Sequence, residues 1–116
     1  FSLQDKVVVI TGANSGLGKE LSTYAAAKGA KLYMICRSKD RAEQARQDIL
    51  RSIESTNPNP DNIEILLADV GELAQVRKVA SDLQAKTDVV DVLVCNAGVL
   101  LNDRKETSEG NEVTFA

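Results

Sequence analysis

Thr11-Gly12-Ala13-Asn14-Ser15-Gly16-Leu17-Gly18 packs three glycines into eight residues, directly behind the apolar run Val7-Val8-Val9-Ile10 and ahead of an amphipathic stretch. A glycine-rich turn between a strand and a helix presents the unpaired N–H groups of the helix start to an anion. In such a turn Gly12 permits the tight reversal, Gly16 lets the backbone approach a pyrophosphate, and Gly18 lets the helix pack closely on the sheet. An ordinary glycine-rich turn is the competing reading of three glycines alone. The strand before and the helix after weigh against it.

A second chemical signal follows the next apolar run, Lys31 to Cys36, where Arg37, Ser38 and Lys39 stand. If a dinucleotide lies over the loop, its adenosine ribose lies over this strand end, and readers of NAD place a carboxylate there for the 2′-hydroxyl. Here the position is basic instead. A guanidinium fork suits a 2′-phosphate through a charge-assisted contact worth about 1.5–3 kcal/mol. The expected cofactor is therefore NADP(H), with NAD(H) as the alternative, and Arg37 and Lys39 lining a solvated helix start is the plain competing reading.

The elements that must position these residues alternate along the chain. Val7 to Thr11 reads as a strand buried on both faces, because its apolar run is continuous and β-branched. From Gly16 to Lys28 the residues Leu17, Leu21, Tyr24 and Ala25 form a helical stripe that Gly29 ends. Lys31 to Cys36 is the second strand, and Ala42, Ala45, Ile49 and Ile53 recur at helical spacing. Two prolines and three asparagines make Ser55 to Asn62 a loop. Ile63 to Ala68 is a third strand, Leu73, Val76, Ala80 and Leu83 mark a third helix, and Val89 to Cys95 is a fourth strand interrupted by Asp91. Alternating elements with connectors too long for hairpins predict an α/β fold: a Rossmann-type doubly wound parallel sheet, truncated, with strand order 3-2-1-4. Its ligand crevice lies beyond the strand ends, between strands one and four.

Composition narrows the partners. A chain of 116 residues with 43% apolar side chains is the size of one domain. Its net charge of −3 is spread without a basic stripe, which argues against nucleic acid. No apolar run approaches the ~20 residues that span a bilayer. With no histidine and two cysteines, Cys36 and Cys95, no metal site is expected. Both cysteines read as reduced, buried spacers of an intracellular, cytoplasmic protein. Met34 is the single methionine, so the natural N-terminus is expected upstream of Phe1, and a membrane-associating segment there stays open.

With Asp69-Val70 behind the third strand and Asn96-Ala97-Gly98 behind the fourth, the chain resembles the N-terminal half of a short-chain dehydrogenase/reductase over essentially its whole length. The resemblance implies that residues 1–116 are the dinucleotide-binding portion of a single domain. It implies that Asn14, Ser15, Gly16, Leu17 and Gly18 line ribose and pyrophosphate, that Asp69 and Val70 hold the adenine, and that Asn96, Ala97 and Gly98 support the ribose near the nicotinamide. From local sequence alone, Asp69 equally suits a cap for a helix beginning near Glu72, and Asn96-Ala97-Gly98 a plain turn. The tail from Arg104 to Phe115 is similar to the retinol-dehydrogenase-like branch, in which a Thr-x-x-Gly-x-Glu turn starts the next helix.

The same resemblance implies hydride transfer between nicotinamide and a carbonyl or alcohol substrate, lipid-like by branch, in a complete protein open to homo-oligomerisation. The family's reacting residues are an Asn on the helix after strand four, a Ser at the end of strand five, and a Tyr and Lys one turn apart on the helix that follows. All are expected beyond Ala116, leaving no catalytic residue in this chain. Tyr24-Ala25-Ala26-Ala27-Lys28 has the Tyr/Lys spacing, but it lies behind the loop and reads as helix-face packing. A catalytically silent NADP(H)-binding or regulatory module is the alternative function.

Overall fold

The computed structural model describes residues 2–14 and 16–96. Strands and helices alternate as β1 (Val7–Thr11), α1 (Gly16–Ala27), β2 (Lys31–Cys36), α2 (Lys39–Ser52), β3 (Ile63–Leu67), α3 (Leu73–Lys86) and β4 (Val92–Cys95), with 3-10 turns at Glu54–Thr56 and Pro60–Asn62. All three strand pairings are parallel, in the order β3-β2-β1-β4. The expected doubly wound sheet is therefore present. Among the described residues no helix is long and apolar enough to cross a membrane.

Period-two alternation divides β1, β2 and β3 between two cores. Val8, Ile10, Leu32, Met34 and Ile63 face α1 and α2, where Ala25, Ala26, Ala42, Ala45 and Ile49 close over them. Val9, Tyr33, Ile35 and Leu66 face α3 through its single buried residue, Val79. Full burial of a large aliphatic side chain stabilises by about 1.5–3 kcal/mol. The first face, with Ile10, Leu32, Met34 and Ile49 almost completely enclosed, is thus the stronger half of the core.

Several expectations about packing are corrected. The buried face of α1 is Gly18, Ser22, Ala25 and Ala26, whereas Leu17 and Tyr24 are exposed. Small residues win that face because α1 lies close to both the sheet and α2, and Ser22 satisfies its hydroxyl by donating to the Gly18 carbonyl at 2.7 Å. Tyr24 is not a packing residue; its ring lies beneath the Lys28 ammonium at 5.4 Å. On α3 it is Val79, not Ala80, that is buried. β4 begins at Val92 rather than Val89, because Asp91 ends the pairing. Its carboxylate accepts from Val7 N–H at 2.8 Å and its own N–H donates to the Val7 carbonyl at 2.9 Å. Cys36 is buried as expected, but Cys95 is exposed.

Glu64 on β3 carries the main ion pair of the α3 face, with Lys86 at 2.5 Å and Lys31 at 3.7 Å. The Lys86 hydrogen bond outweighs partial burial and holds the Glu64 carboxyl below its ordinary 4.5, while Lys86 is raised. A depressed carboxyl stabilises the fold above its unfolded pKa, and that contribution is lost as pH falls through the folded value. Glu64→Gln should therefore lower the melting temperature at neutral pH and make the loss of stability on acidification shallower than in the parent. Parallel melting curves for the two proteins down to about pH 3 would contradict this.

Candidate functional site

Because every strand runs the same way, the segments that follow β1, β2, β3 and β4 emerge on one edge of the sheet. Thr11 is in register with Ile35 and with Cys95, and Cys36 with Leu67. The turn after Thr11, Arg37 after Cys36, Asp69 two residues past β3, and Asn96 directly after β4 therefore share that edge. Among the predicted site residues, Ser15, Ala97 and Gly98 lie outside the described residues, as does the tail from Arg104 to Phe115.

Gly12 has φ +63° and Gly16 φ +54°, the left-handed region that favours glycine. A Cβ on Gly16 would meet no atom within 4 Å, so the backbone there borders open space. Gly18 is the opposite case. A Cβ there would collide with the Gly12 carbonyl oxygen and lie 2.6 Å from Asn96 Nδ2. The expected role of Gly18, close packing, is present, but its neighbours are the turn itself and the residue after β4. Leu17, in the first turn of α1, is 61% exposed.

Asn96 closes the junction. Its N–H donates to Thr11 Oγ1 at 2.9 Å, and its side-chain amide donates to the Gly12 carbonyl at 3.2 Å. The Thr11 hydroxyl, 5% exposed, donates to the Val94 carbonyl at 3.4 Å. The loop after β1 and the end of β4 are thereby fixed to one another. Sequence reasoning assigned Asn96 to a ligand and treated Thr11 only as a strand end. The missed signal was a hydroxyl at the end of a doubly buried strand, which must find partners.

Arg37 is exposed and forms no ion pair among the described residues. Ser38 is the N-cap of α2, its hydroxyl accepting from Arg41 N–H at 3.4 Å. Asp69 does not cap α3. Glu72 takes that position, while Asp69 Oδ1 accepts from Gly71 N–H at 2.9 Å in a tight turn. Asp69 N–H donates to Gln75 Oε1 at 2.6 Å, a partner that no local sequence pattern announces. Val70 packs partly buried against the α3 core and anchors this turn.

Cys36 is 2% exposed and lies under the turn. Burial pushes the thiol's pKa up, and the backbone amides of Ala13 and Asn14 offset part of that rise. The sulfur is thus a neutral thiol. Its burial in the core that also holds Ala13 agrees with its reading from sequence as a buried, reduced residue.

The edge as a whole can hold an extended anion. A helix start opens toward it, one glycine leaves the backbone uncovered, and an exposed guanidinium stands beyond the neighbouring strand. These features fit a dinucleotide with its diphosphate at Gly12–Gly18 and its adenosine toward Arg37.

Comparison with known proteins agrees with this geometry. The family profile described as short chain dehydrogenase matches residues 6–116. The short chain dehydrogenase/reductase dpchH of Colletotrichum higginsianum is 39% identical over 116 residues, covering 98% of this chain and 28% of that protein. Human (Homo sapiens) retinol dehydrogenase 11 is 32% identical over 111 residues, covering 96% of this chain and 33% of its own length. Among solved structures, the C-domain of a bacterial malonyl-CoA reductase with NADP superposes with a TM-score of 0.73 at 25% identity, over 83% of this chain and 15% of the other. The chain spans about a third of the length of the curated relatives it matches.

Proposed function

The chain belongs to the short chain dehydrogenase family, and from that premise we propose that it forms the N-terminal portion of an oxidoreductase domain in which residues 12–18 hold the diphosphate of NADP(H). The observation that carries this reading is the convergence of four strand ends on one edge, with an uncovered glycine backbone at Gly16 and an exposed guanidinium at Arg37 that forms no ion pair among the described residues. When bound, the nicotinamide supplies or accepts a hydride. This chain's residues bind and orient.

In this reading the loop amides and the N-terminus of α1 bind the diphosphate, with Asn14, Ser15 and Leu17 along the ribose. Arg37 and Ser38 meet the ribose 2′-phosphate, and Asp69 and Val70 border the adenine. Asn96, Ala97 and Gly98 support the ribose near the nicotinamide. The NADP seen in the malonyl-CoA reductase domain supports the dinucleotide, and the replacement of a carboxylate by Arg37 supports the phosphorylated form over NAD(H). The substrate of the complete protein is a small carbonyl or alcohol, lipid-like if the retinol dehydrogenase similarity extends to the pocket. A cytoplasmic setting goes with the two unpaired cysteines.

Titrating NADPH into the full-length protein while following its fluorescence tests the proposal. Saturable binding, lost on adding an excess of 2′-phosphorylated adenosine nucleotide, is expected. No binding of either dinucleotide would overturn it. Tyr24→Phe in the same protein should leave turnover within about twofold of the parent, because a phenol exposed on the outer side of α1 cannot reach a reacting carbonyl. A large loss of turnover with an unchanged melting temperature would bring the Tyr24/Lys28 pair back as a candidate.

A further inference from the structure

The turn that borders the adenine in the reading just given is held by a residue of α3, and the role of that residue rests on the same reading. We propose that Gln75 is a positioning residue for the adenine end of the site: its side-chain oxygen, by holding the Asp69 N–H, fixes the direction from which the Asp69 carboxylate accepts from the adenine amino group.

Gln75 is the third residue of α3, behind the N-cap Glu72. A glutamine there commonly accepts from the N–H of the N-cap residue itself. Here the Glu72 N–H donates instead to the Asp69 carbonyl at 3.0 Å, and Gln75 Oε1 reaches past it to the Asp69 N–H at 2.6 Å. Gln75, Val79 and Leu83 form one i, i+4 row of α3, and Val79 and Leu83 pack on the second core. At the cofactor end of that row an exposed amide stands in place of an apolar side chain and grips the turn. Three atoms of Asp69 are thereby fixed. Its N–H is held by Gln75, its carbonyl by Glu72 N–H, and its Oδ1 by Gly71 N–H at 2.9 Å. Ala68, one residue earlier, is anchored from the other side by donating to the Cys36 carbonyl at 2.9 Å. Asp69 forms no ion pair among the described residues, so Oδ2 is the oxygen left for a ligand. A carboxylate only accepts. Adenine offers it a donor, the exocyclic amino group, whereas hypoxanthine carries an oxygen at that position and is repelled. Without Gln75 the Asp69 N–H loses its partner, the turn is free to rotate about Ala68, and Oδ2 no longer keeps one direction.

The test uses the full-length protein and two probes, NADPH and its analogue with hypoxanthine in place of adenine, together with amide hydrogen exchange at Asp69. Both probes carry the same phosphates, so the ratio of their affinities cancels changes in the diphosphate loop and at Arg37. The parent should protect the Asp69 amide and prefer NADPH by about tenfold, the effect of one hydrogen bond to a charged acceptor. Gln75→Met, of similar length but without the amide oxygen, should lose the protection and reduce the preference to about twofold or less, while binding the hypoxanthine analogue within about twofold of the parent. Gln75→Glu, which keeps an acceptor oxygen, should recover most of both. An unchanged ratio in Gln75→Met, with or without an equal loss for the two probes, would mark Gln75 as a helix cap only and overturn the proposal. So would an unprotected Asp69 amide in the parent, whether or not a variant folds. A parent that binds both probes equally overturns this proposal alone; a parent that binds neither overturns the dinucleotide reading with it.

Discussion

Arg37→Ala in the full-length protein is expected to weaken NADPH by roughly 10- to 30-fold while changing NADH affinity by less than about threefold. The asymmetry follows from what each ligand offers. Only NADPH carries a phosphate on the adenosine ribose, and only that phosphate gains from a guanidinium fork at the end of β2. Arg37 has no other ion pair among the described residues, so its removal leaves no orphaned carboxylate in the protein to confuse the result. A charge-assisted pair contributes about 1.5–3 kcal/mol, and at an exposed site the lower part of that range applies. The effect should shrink as salt is raised. Arg37→Lys should restore part of the loss, since an ammonium keeps the charge but not the bidentate geometry. Equal losses for NADPH and NADH in parallel titrations would show that Arg37 belongs to a solvated helix start and not to the cofactor site.

How far the sequence carried this picture depended on how local each signal was. The continuous β-branched run at Val7–Ile10, the glycine spacing at Gly12, Gly16 and Gly18, and the helical recurrence of Ala42, Ala45 and Ile49 are decided within one element, and the strand order follows from connectivity rules. Side-chain roles at the site depended on partners far away in sequence, and there the reading was weaker. Asn96 was assigned to a ligand by its motif, yet its described contacts are to Thr11 and Gly12, more than eighty residues back. Tyr24 and Leu17 were placed on the buried stripe by hydropathy, but close approach of α1 selected Gly18, Ser22, Ala25 and Ala26 instead. Hydropathy ranks residues by transfer free energy and does not register a face too shallow for a large side chain.

That shallow face leads to the other large effect, at Gly18. Gly18→Ala should destabilise the full-length protein by about 2–4 kcal/mol and weaken NADPH at least about 100-fold. The added methyl has nowhere to go: the Gly12 carbonyl oxygen, its carbon at 2.9 Å and Asn96 Nδ2 at 2.6 Å occupy its position. Two of these atoms are backbone of the turn, so no rotamer change relieves the overlap. Asn96 bonds the Gly12 carbonyl, so that oxygen is already held in place and cannot simply swing aside for the methyl. Gly16→Ala provides the control. There φ is +54° but no atom lies within 4 Å, so the cost is conformational, about 1–2 kcal/mol, without displacement of α1. Thermal melts and NADPH titrations on both variants separate the two cases. Gly18→Ala should lose more affinity than Gly16→Ala, because it moves the helix whose start faces the diphosphate. A Gly18→Ala protein that melts with the parent and binds NADPH within threefold of it would mean that the contact between the turn, α1 and Asn96 does not set the geometry of the site.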